Sequence, residues 1–456
     1  MINNEDICAI STGTKLSAIS VIRVSGPNAI NICDNFFKSA SNEKKLINQK
    51  SHTSHYGYFF DNGIIDEVIY NIFKAPNSYT GENTVEISCH GSPYIQENIL
   101  NKLVRNGCRI AKPGEFTFRS FINGKIDLSQ AEAVADLISS KTEKSHKIAI
   151  SQLRGGYSNK LSKLRKDLIK FASLIELELD FSQEDLEFVN RDQLLILLDE
   201  LKQLLEKLIN SFNLGNAIKN GISVAIVGEP NVGKSTLLNL LSNENKSIVS
   251  DIPGTTRDII EDQINIDGYS FRFFDTAGIR SSNDKIEKIG IDKTFDKIEK
   301  SSLVIYLFDI RDSLIKVKAD IKKLQDLYKK QIFIPVANKF DLIKFNNKNF
   351  SLNDLVIISA KDEKNIDLLK SKLTSKIKLD LSESDDFIVS NARHLESLNN
   401  SLKHIFAIKE GIKNKVFGEF LAMDLREALN YIGQITGEIT NDNLLDSIFK
   451  DFCIGK

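Results

Sequence analysis

Midway along the 456-residue chain, the run GEPNVGKS at 228–235 follows the apolar stretch ISVAIV and leads into TLLNLLS. A strand, a glycine-rich turn and a helix in that order leave little freedom. The turn's N–H groups and the helix N-terminus must converge on one point, which is a cradle for phosphate. Lys234 would reach the outer phosphates and Ser235 would ligate Mg²⁺, with Asn231, Val232, Gly233 and Thr236 completing the loop. Such a loop belongs to an α/β domain with a parallel sheet.

Four further runs name the base and a switch. NKFD at 338–341 follows the apolar IFIPVA, so Asp341 can accept the paired N1–H and N2–H donors of guanine, a pair that adenine lacks. Asn338 and Lys339 share that run, and Ser359 and Ala360, after LVII, suit a backbone contact to the base oxygen. DTAG (Asp275, Thr276, Ala277, Gly278) supplies a carboxylate behind Mg²⁺ and an amide to sense the γ-phosphate, and DIPGTTRD offers Thr255 and Thr256, one of which would close on Mg²⁺. Four ordered motifs specify GTP. Where many GTPases have glutamine after DTAG, this chain has Ile279, so hydrolysis needs a substitute. Asn231 is a neutral oxygen donor beside the phosphates, and carbonyls of the 250–256 loop could join it around a monovalent cation; the alternative is a turn-stabilising Asn231.

The remainder of the chain divides by period. Residues 1–122 change pattern every few positions, with strand-like SAISVIRVSG, YGYFF, EVIYNIF and TVEISC and an amphipathic helix ending at Gly107; this reads as an α+β domain. Residues 123–215 place apolar side chains every three or four positions, which reads as the first half of a helical bundle. Residues 216–378 form the α/β domain, and 379–456 return to helical spacing. The economical architecture is multidomain α/β, with a GTPase domain inserted into a discontinuous helical bundle. No internal repeat is evident.

Charge and cysteines narrow the setting. Sixty Lys and Arg against 61 Asp and Glu leave a net charge of −1, so no overall field advertises nucleic acid. The basic stretch KLSKLRKDLIK (160–170) could touch RNA, and otherwise reads as a solvated helix face. Five scattered cysteines without Cys-x-x-Cys spacing fit reduced thiols in a cytoplasmic protein, and no run is apolar enough for a membrane span. The closing FCIGK puts Cys453 four positions from a prenyl-type end, but Gly455 and Lys456 fall outside the usual lipid-anchor pattern, so no membrane partner is expected.

Together GEPNVGKSTLLN, DIPGTTRD, DTAGIR with IEKIGI, PNSYTGENTVEISCHG, RIAKPGEFTFRSFINGKIDLSQAEAVADLI and FCIGK resemble the MnmE (TrmE) family of tRNA-modification GTPases across essentially the whole chain. The resemblance implies a Ras-like GTPase domain, a homodimer, and a heterotetramer with the FAD-bearing MnmG. Together these install a carboxymethylaminomethyl-type group at C5 of the wobble uridine, position 34, of certain tRNAs, using 5-formyl- or 5,10-methylenetetrahydrofolate. It further implies K⁺-stimulated hydrolysis, with K⁺ held by Asn231, Thr255 and the carbonyls of Ser250 and Ile252, and Mg²⁺ held by Ser235 and Thr256. Asp251, Pro253 and Gly254 complete that loop on the nucleotide. Glu287 resembles the acid that positions water, although by itself it reads as an exposed helix glutamate. Arg23, Glu86, Lys125 and Lys456 map onto the folate pocket; without the resemblance Arg23 and Lys125 would be surface charges. Cys453 would sit at the modification centre, as a nucleophile or as a small buried thiol anchoring the tail. The rival readings are a ribosome-assembly GTPase, which would usually append a basic RNA-binding module, and a lipid-anchored switch.

Overall fold

Short alternating strands fold into one sheet at the amino end, and the computed structural model shows how the later change of period builds a bundle and a second sheet. It describes residues 5–13, 16–40, 44–180, 189–243, 261–274, 298–343, 352–378, 387–414, 416, 418–440, 442–450, 452 and 454–455.

The amino-terminal region contains β1 (Asp6–Ile10), β2 (Ser17–Ser25), α1 (Ala29–Asp34), β3 (Phe37–Ser39), β4 (Thr53–Phe60), β5 (Ile64–Phe73), β6 (Thr84–Gly91), α2 (Pro93–Arg105), β7 (Cys108–Ile110) and α3 (Glu115–Ile122). The strands pair in the order β3-β4-β5-β6-β2-β1-β7, antiparallel except for β1 with β7. Period-two alternation decides which side chains enter the core. In β6, Val85, Ile87 and Cys89 are buried while Glu86, Ser88 and His90 face the other way. Ile99 and Leu103 of α2 join Ile22, Val24, Val85 and Ile87 in one cluster, each such side chain contributing about 1.5–3 kcal/mol of burial. Pro93 starts α2 without losing a helical hydrogen bond, and Gly107 at φ +105° ends it where a side chain would be strained. The strands β1 and β7, five and three residues long, are too short for alternation to announce them.

The helices α4 (Leu128–Ser139), α5 (Glu143–Leu153), α6 (Gly156–Asp180) and α7 (Arg191–Asn220) come next. They are followed by β8 (Ile222–Val227), α8 (Lys234–Asn243), β9 (Glu261–Ile266), β10 (Tyr269–Phe274), β11 (Leu303–Asp309), α9 (Leu314–Leu327), β12 (Ile332–Asn338), β13 (Val356–Ile357) and α10 (Ile366–Lys378). This second sheet has the order β13-β12-β11-β8-β10-β9, and every neighbouring pair is parallel except β9 with β10. The antiparallel pair arises from Asp267-Gly268, both at positive φ, a two-residue turn that matches strand twist. Every residue of β8 and β11 is buried, as expected for central parallel strands covered on both faces.

The chain then returns to helices α11 (Ala392–Lys413), α12 (Gly418–Thr436) and α13 (Asp442–Phe449). Buried Arg165 of α6 donates to the Leu429 carbonyl of α12 and pairs with Glu438, so segments more than 260 residues apart in sequence form one bundle. Packing density separates two compact units. One comprises Met1–Ile138, Gln152–Leu201 and Asn400–Lys456, and the other Ser139–Ser151 and Lys202–Asn399. Cys8, Cys33, Cys89 and Cys108 are buried free thiols. Among the described residues, no helix is long and apolar enough to cross a membrane.

Candidate functional site

The loop after β8 is shaped by close backbone approaches. A Cβ on Gly228 would lie 2.0 Å from the Leu307 carbonyl oxygen of β11, and one on Gly233 would lie 2.3 Å from Asn338 Nδ2, so neither position admits a side chain. Asn231 takes the left-handed conformation at φ +60°, which asparagine tolerates better than most residues. Val232 is buried beneath the loop, and α8 begins at Lys234, followed by Ser235 and Thr236 on its first turn. Lys234 Nζ donates to the carbonyls of Gly228 (2.8 Å) and Glu229 (2.7 Å), arching the ammonium over the loop. Burial pushes its pKa down, which an arriving phosphate would counter.

The base side is tied to this loop by one carboxamide. Asn338, the last residue of β12, is 3% exposed; its Nδ2 donates to the Val232 carbonyl at 2.8 Å and its Oδ1 accepts from the Ala360 amide at 2.9 Å. Phosphate loop and base loop are thereby fixed to each other. Lys339 follows at φ +67° and pairs with Asp309 at 2.9 Å. The Arg311 side chain, together with Lys339, holds the Asp309 carboxyl far below the usual carboxylate range. Ser359 Oγ donates to Asp341 Oδ1 at 2.6 Å and accepts from the Asp362 amide at 3.2 Å. That hydroxyl lowers the Asp341 pKa, keeping it ionised with acceptor capacity to spare.

A second constellation lies on the amino-terminal sheet, on the face that Phe116 of α3 packs against. Arg23 and Glu86 stand opposite each other across β2 and β6, and Arg23 Nε (3.0 Å) and Nη2 (2.8 Å) both donate to Glu86 Oε1. The guanidinium carbon is 5.3 Å from the Tyr79 ring centroid and 5.4 Å from that of Phe116, which fixes its plane between two aromatics. Lys125 Nζ donates to the Pro76 carbonyl at 3.0 Å. The carboxyl tail reaches the end of β1. Ser11 Oγ donates to the Gly455 carbonyl at 3.0 Å, and a Cβ on Gly455 would sit 2.1 Å from the Ile10 oxygen. Phe452 packs beside Phe449 and under Gly114.

Residues 128–453 match the family model described as the MnmE helical domain, and residues 6–125 match that of the GTP-binding protein TrmE N-terminus. The chain is 51% identical over 467 residues to the tRNA modification GTPase MnmE of Flavobacterium johnsoniae and 50% identical over 463 residues to that of Flavobacterium psychrophilum. It is 48% identical over 465 residues to that of Bacteroides thetaiotaomicron, and all three alignments cover 100% of both chains.

The chain belongs to the MnmE family of tRNA modification GTPases.

In this MnmE-family chain the structure brings together Asn231 to Thr236 with Asn338, and Asn338 with Ala360; it also joins Asp341 to Ser359 and Arg23 to Glu86. Lys125 makes its own separate bond to Pro76. Ser250 to Thr256, Asp275 to Gly278, Ile279, Glu287, Cys453 and Lys456 lie outside the described residues. Sequence reasoning passed over Asp309, Tyr79, Phe116 and Ser11. Asp309 could have been found as a carboxylate at the carboxyl end of a buried strand, the edge of an α/β sheet where ligands bind. The other three carry no local signal, because their partners are distant in sequence.

The donor sets fit the implied groups. Ser235 offers Mg²⁺ a hard oxygen one residue from Lys234, and the loop glycines leave the backbone bare where phosphates would approach. Glu86 keeps acceptor capacity beyond Arg23 for the amino-imino edge of a pterin.

Proposed function

We propose that this chain hydrolyses GTP and, with an FAD-bearing MnmG partner, takes part in adding a carboxymethylaminomethyl-type group to C5 of the wobble uridine of certain tRNAs. The observation that carries the nucleotide assignment is the Asn338 carboxamide, which fixes the phosphate loop at Val232 to the base loop at Ala360 while Ser359 keeps Asp341 ionised beside it. A carboxylate so placed rewards guanine's two donors and leaves adenine with none to offer. Lys234 is positioned for the outer phosphates, with Ser235 and Thr256 as the Mg²⁺ ligands, and the DTAG amide at Gly278 as the γ-phosphate sensor.

Ile279 cannot orient water, so Glu287 is assigned that task. Asn231, Thr255 and the Ser250 and Ile252 carbonyls are assigned to K⁺, which supplies positive charge where phosphate charge builds. On the amino-terminal sheet, Glu86 would hold the pterin edge of a 5-formyl- or 5,10-methylenetetrahydrofolate, and Arg23, Lys125 and Lys456 its anionic parts. Cys453 is the candidate nucleophile of the modification chemistry, the alternative being a small thiol that anchors the tail. The working form is a homodimer in the cytoplasm that joins MnmG in a heterotetramer.

The test is GTP turnover by the purified protein in KCl and in NaCl at equal ionic strength, with Glu287→Ala alongside. Turnover that depends on K⁺ and is lost in the variant supports the mechanism. Equal rates in the two salts would return Asn231 to a turn-stabilising role.

A further inference from the structure

The helix α6 segregates its charge along its length. From residue 154 to 170 there are six basic side chains (Arg154, Lys160, Lys163, Arg165, Lys166, Lys170) and one acid, Asp167, whereas the last turns carry Glu176, Glu178 and Asp180 and no base. Arg165 is buried and spent on the Leu429 carbonyl and Glu438. The four lysines are exposed, and steps of three, three and four residues put them on one face, opposite buried Leu161, Leu164 and Leu168. The row is about 15 Å long.

Helix stability does not account for this row. Cations near the amino end and anions near the carboxyl end oppose the helix dipole, and each successive pair of lysines is a like-charge neighbour at helical contact distance. Several other lysines of the described surface are matched with acids. Lys147 pairs with Glu143 and Lys316 with Glu229, while Lys372 and Lys376 share Asp354. Among the described residues the row's one ion pair is Lys170 with Asp167, and it leaves Lys170 74% exposed.

We propose that the exposed lysine row of α6, Lys160, Lys163, Lys166 and Lys170, is a contact surface for the tRNA phosphate backbone. This rests on the reading above that the chain acts on tRNA. Lysines on flexible stems grip phosphates as point charges without reading bases, so the row positions the tRNA and leaves sequence choice to other contacts.

The test is binding of unmodified tRNA to the full-length protein across a salt series. The first variant is Lys160→Gln/Lys163→Gln/Lys166→Gln/Lys170→Gln, which keeps helix propensity. The control makes the same charge change on and just after α9, with Lys322→Gln/Lys323→Gln/Lys329→Gln/Lys330→Gln. The first variant is expected to bind ~10-fold or more weakly, its slope of log affinity against log salt reduced by about 0.7–0.9 per lost phosphate contact. The control should stay within about twofold of the parent, and basal GTP turnover should be unchanged in both. Unaltered binding by the first variant, or equal losses in both, would overturn the lysine row and leave the tRNA reading standing. Absence of tRNA binding by the parent protein would overturn both.

Discussion

Asp341 and Glu86 are both carboxylates assigned to the amino-imino edge of a fused-ring heterocycle, guanine in one unit and a pterin in the other, yet their surroundings differ. Asp341 sits beside a neutral hydroxyl, Ser359, which orders the charge without cancelling it. Glu86 faces Arg23, whose two bonds converge on one oxygen and already compensate the charge. A ligand at Asp341 therefore supplies the missing donors, whereas a ligand at Glu86 must share the carboxylate with an arginine already in place. The first site should depend on its carboxylate far more steeply than the second.

Three substitutions would break or sharpen that contrast. Asp341→Asn should weaken GTP binding by roughly two to four orders of magnitude, because the new amide confronts guanine's donors with a donor of its own. Calorimetric titration of GTP, with 5-formyltetrahydrofolate binding as an internal control that stays unchanged, checks it. Asn338→Ala comes next. It orphans the Val232 carbonyl and the Ala360 amide at a cost of about 2 kcal/mol, so thermal unfolding of the nucleotide-binding unit should move down by several degrees, and saturating GTP should recover only part of the loss. Glu86→Gln should have the smallest effect, with folate affinity falling about tenfold and GTP affinity unchanged, since a glutamine carbonyl can still accept from Arg23. A folate loss as large as the GTP loss of Asp341→Asn would erase the distinction between a compensated and an uncompensated carboxylate.

The contrast also explains what could be read in the sequence. Asn338, Lys339 and Asp341 fall within four residues because one strand end and its turn present all of them, and Gly228 to Ser235 are contiguous because one turn wraps one phosphate group. Local chemistry leaves local motifs. Arg23 and Glu86 are 63 residues apart and meet through antiparallel register, so nothing in the run around either announces the pair, and only resemblance to a family brought them together. The same limit applies to Tyr79, Phe116 and Ser11, whose partners lie across the sheet or at the far end of the chain. Of the secondary structure, β8 and β11 were legible as almost wholly apolar runs, whereas β9 was not. Its residues alternate Gln263, Ile264, Asn265, Ile266 on a sheet edge, and Asp267-Gly268 was the signal that could have revealed it.

The most direct test of the guanine-specific frame built by Asn338, Asp341, Ser359 and Ala360 is the affinity of the unmodified protein for GTP and ATP, measured by competition in one buffer with Mg²⁺. The account predicts that ATP binds at least ~1,000-fold more weakly, because adenine leaves Asp341 unpaired. Affinities within about tenfold of each other would show that the carboxylate does not read the base, and would contradict the assignment on which the GTPase reading stands.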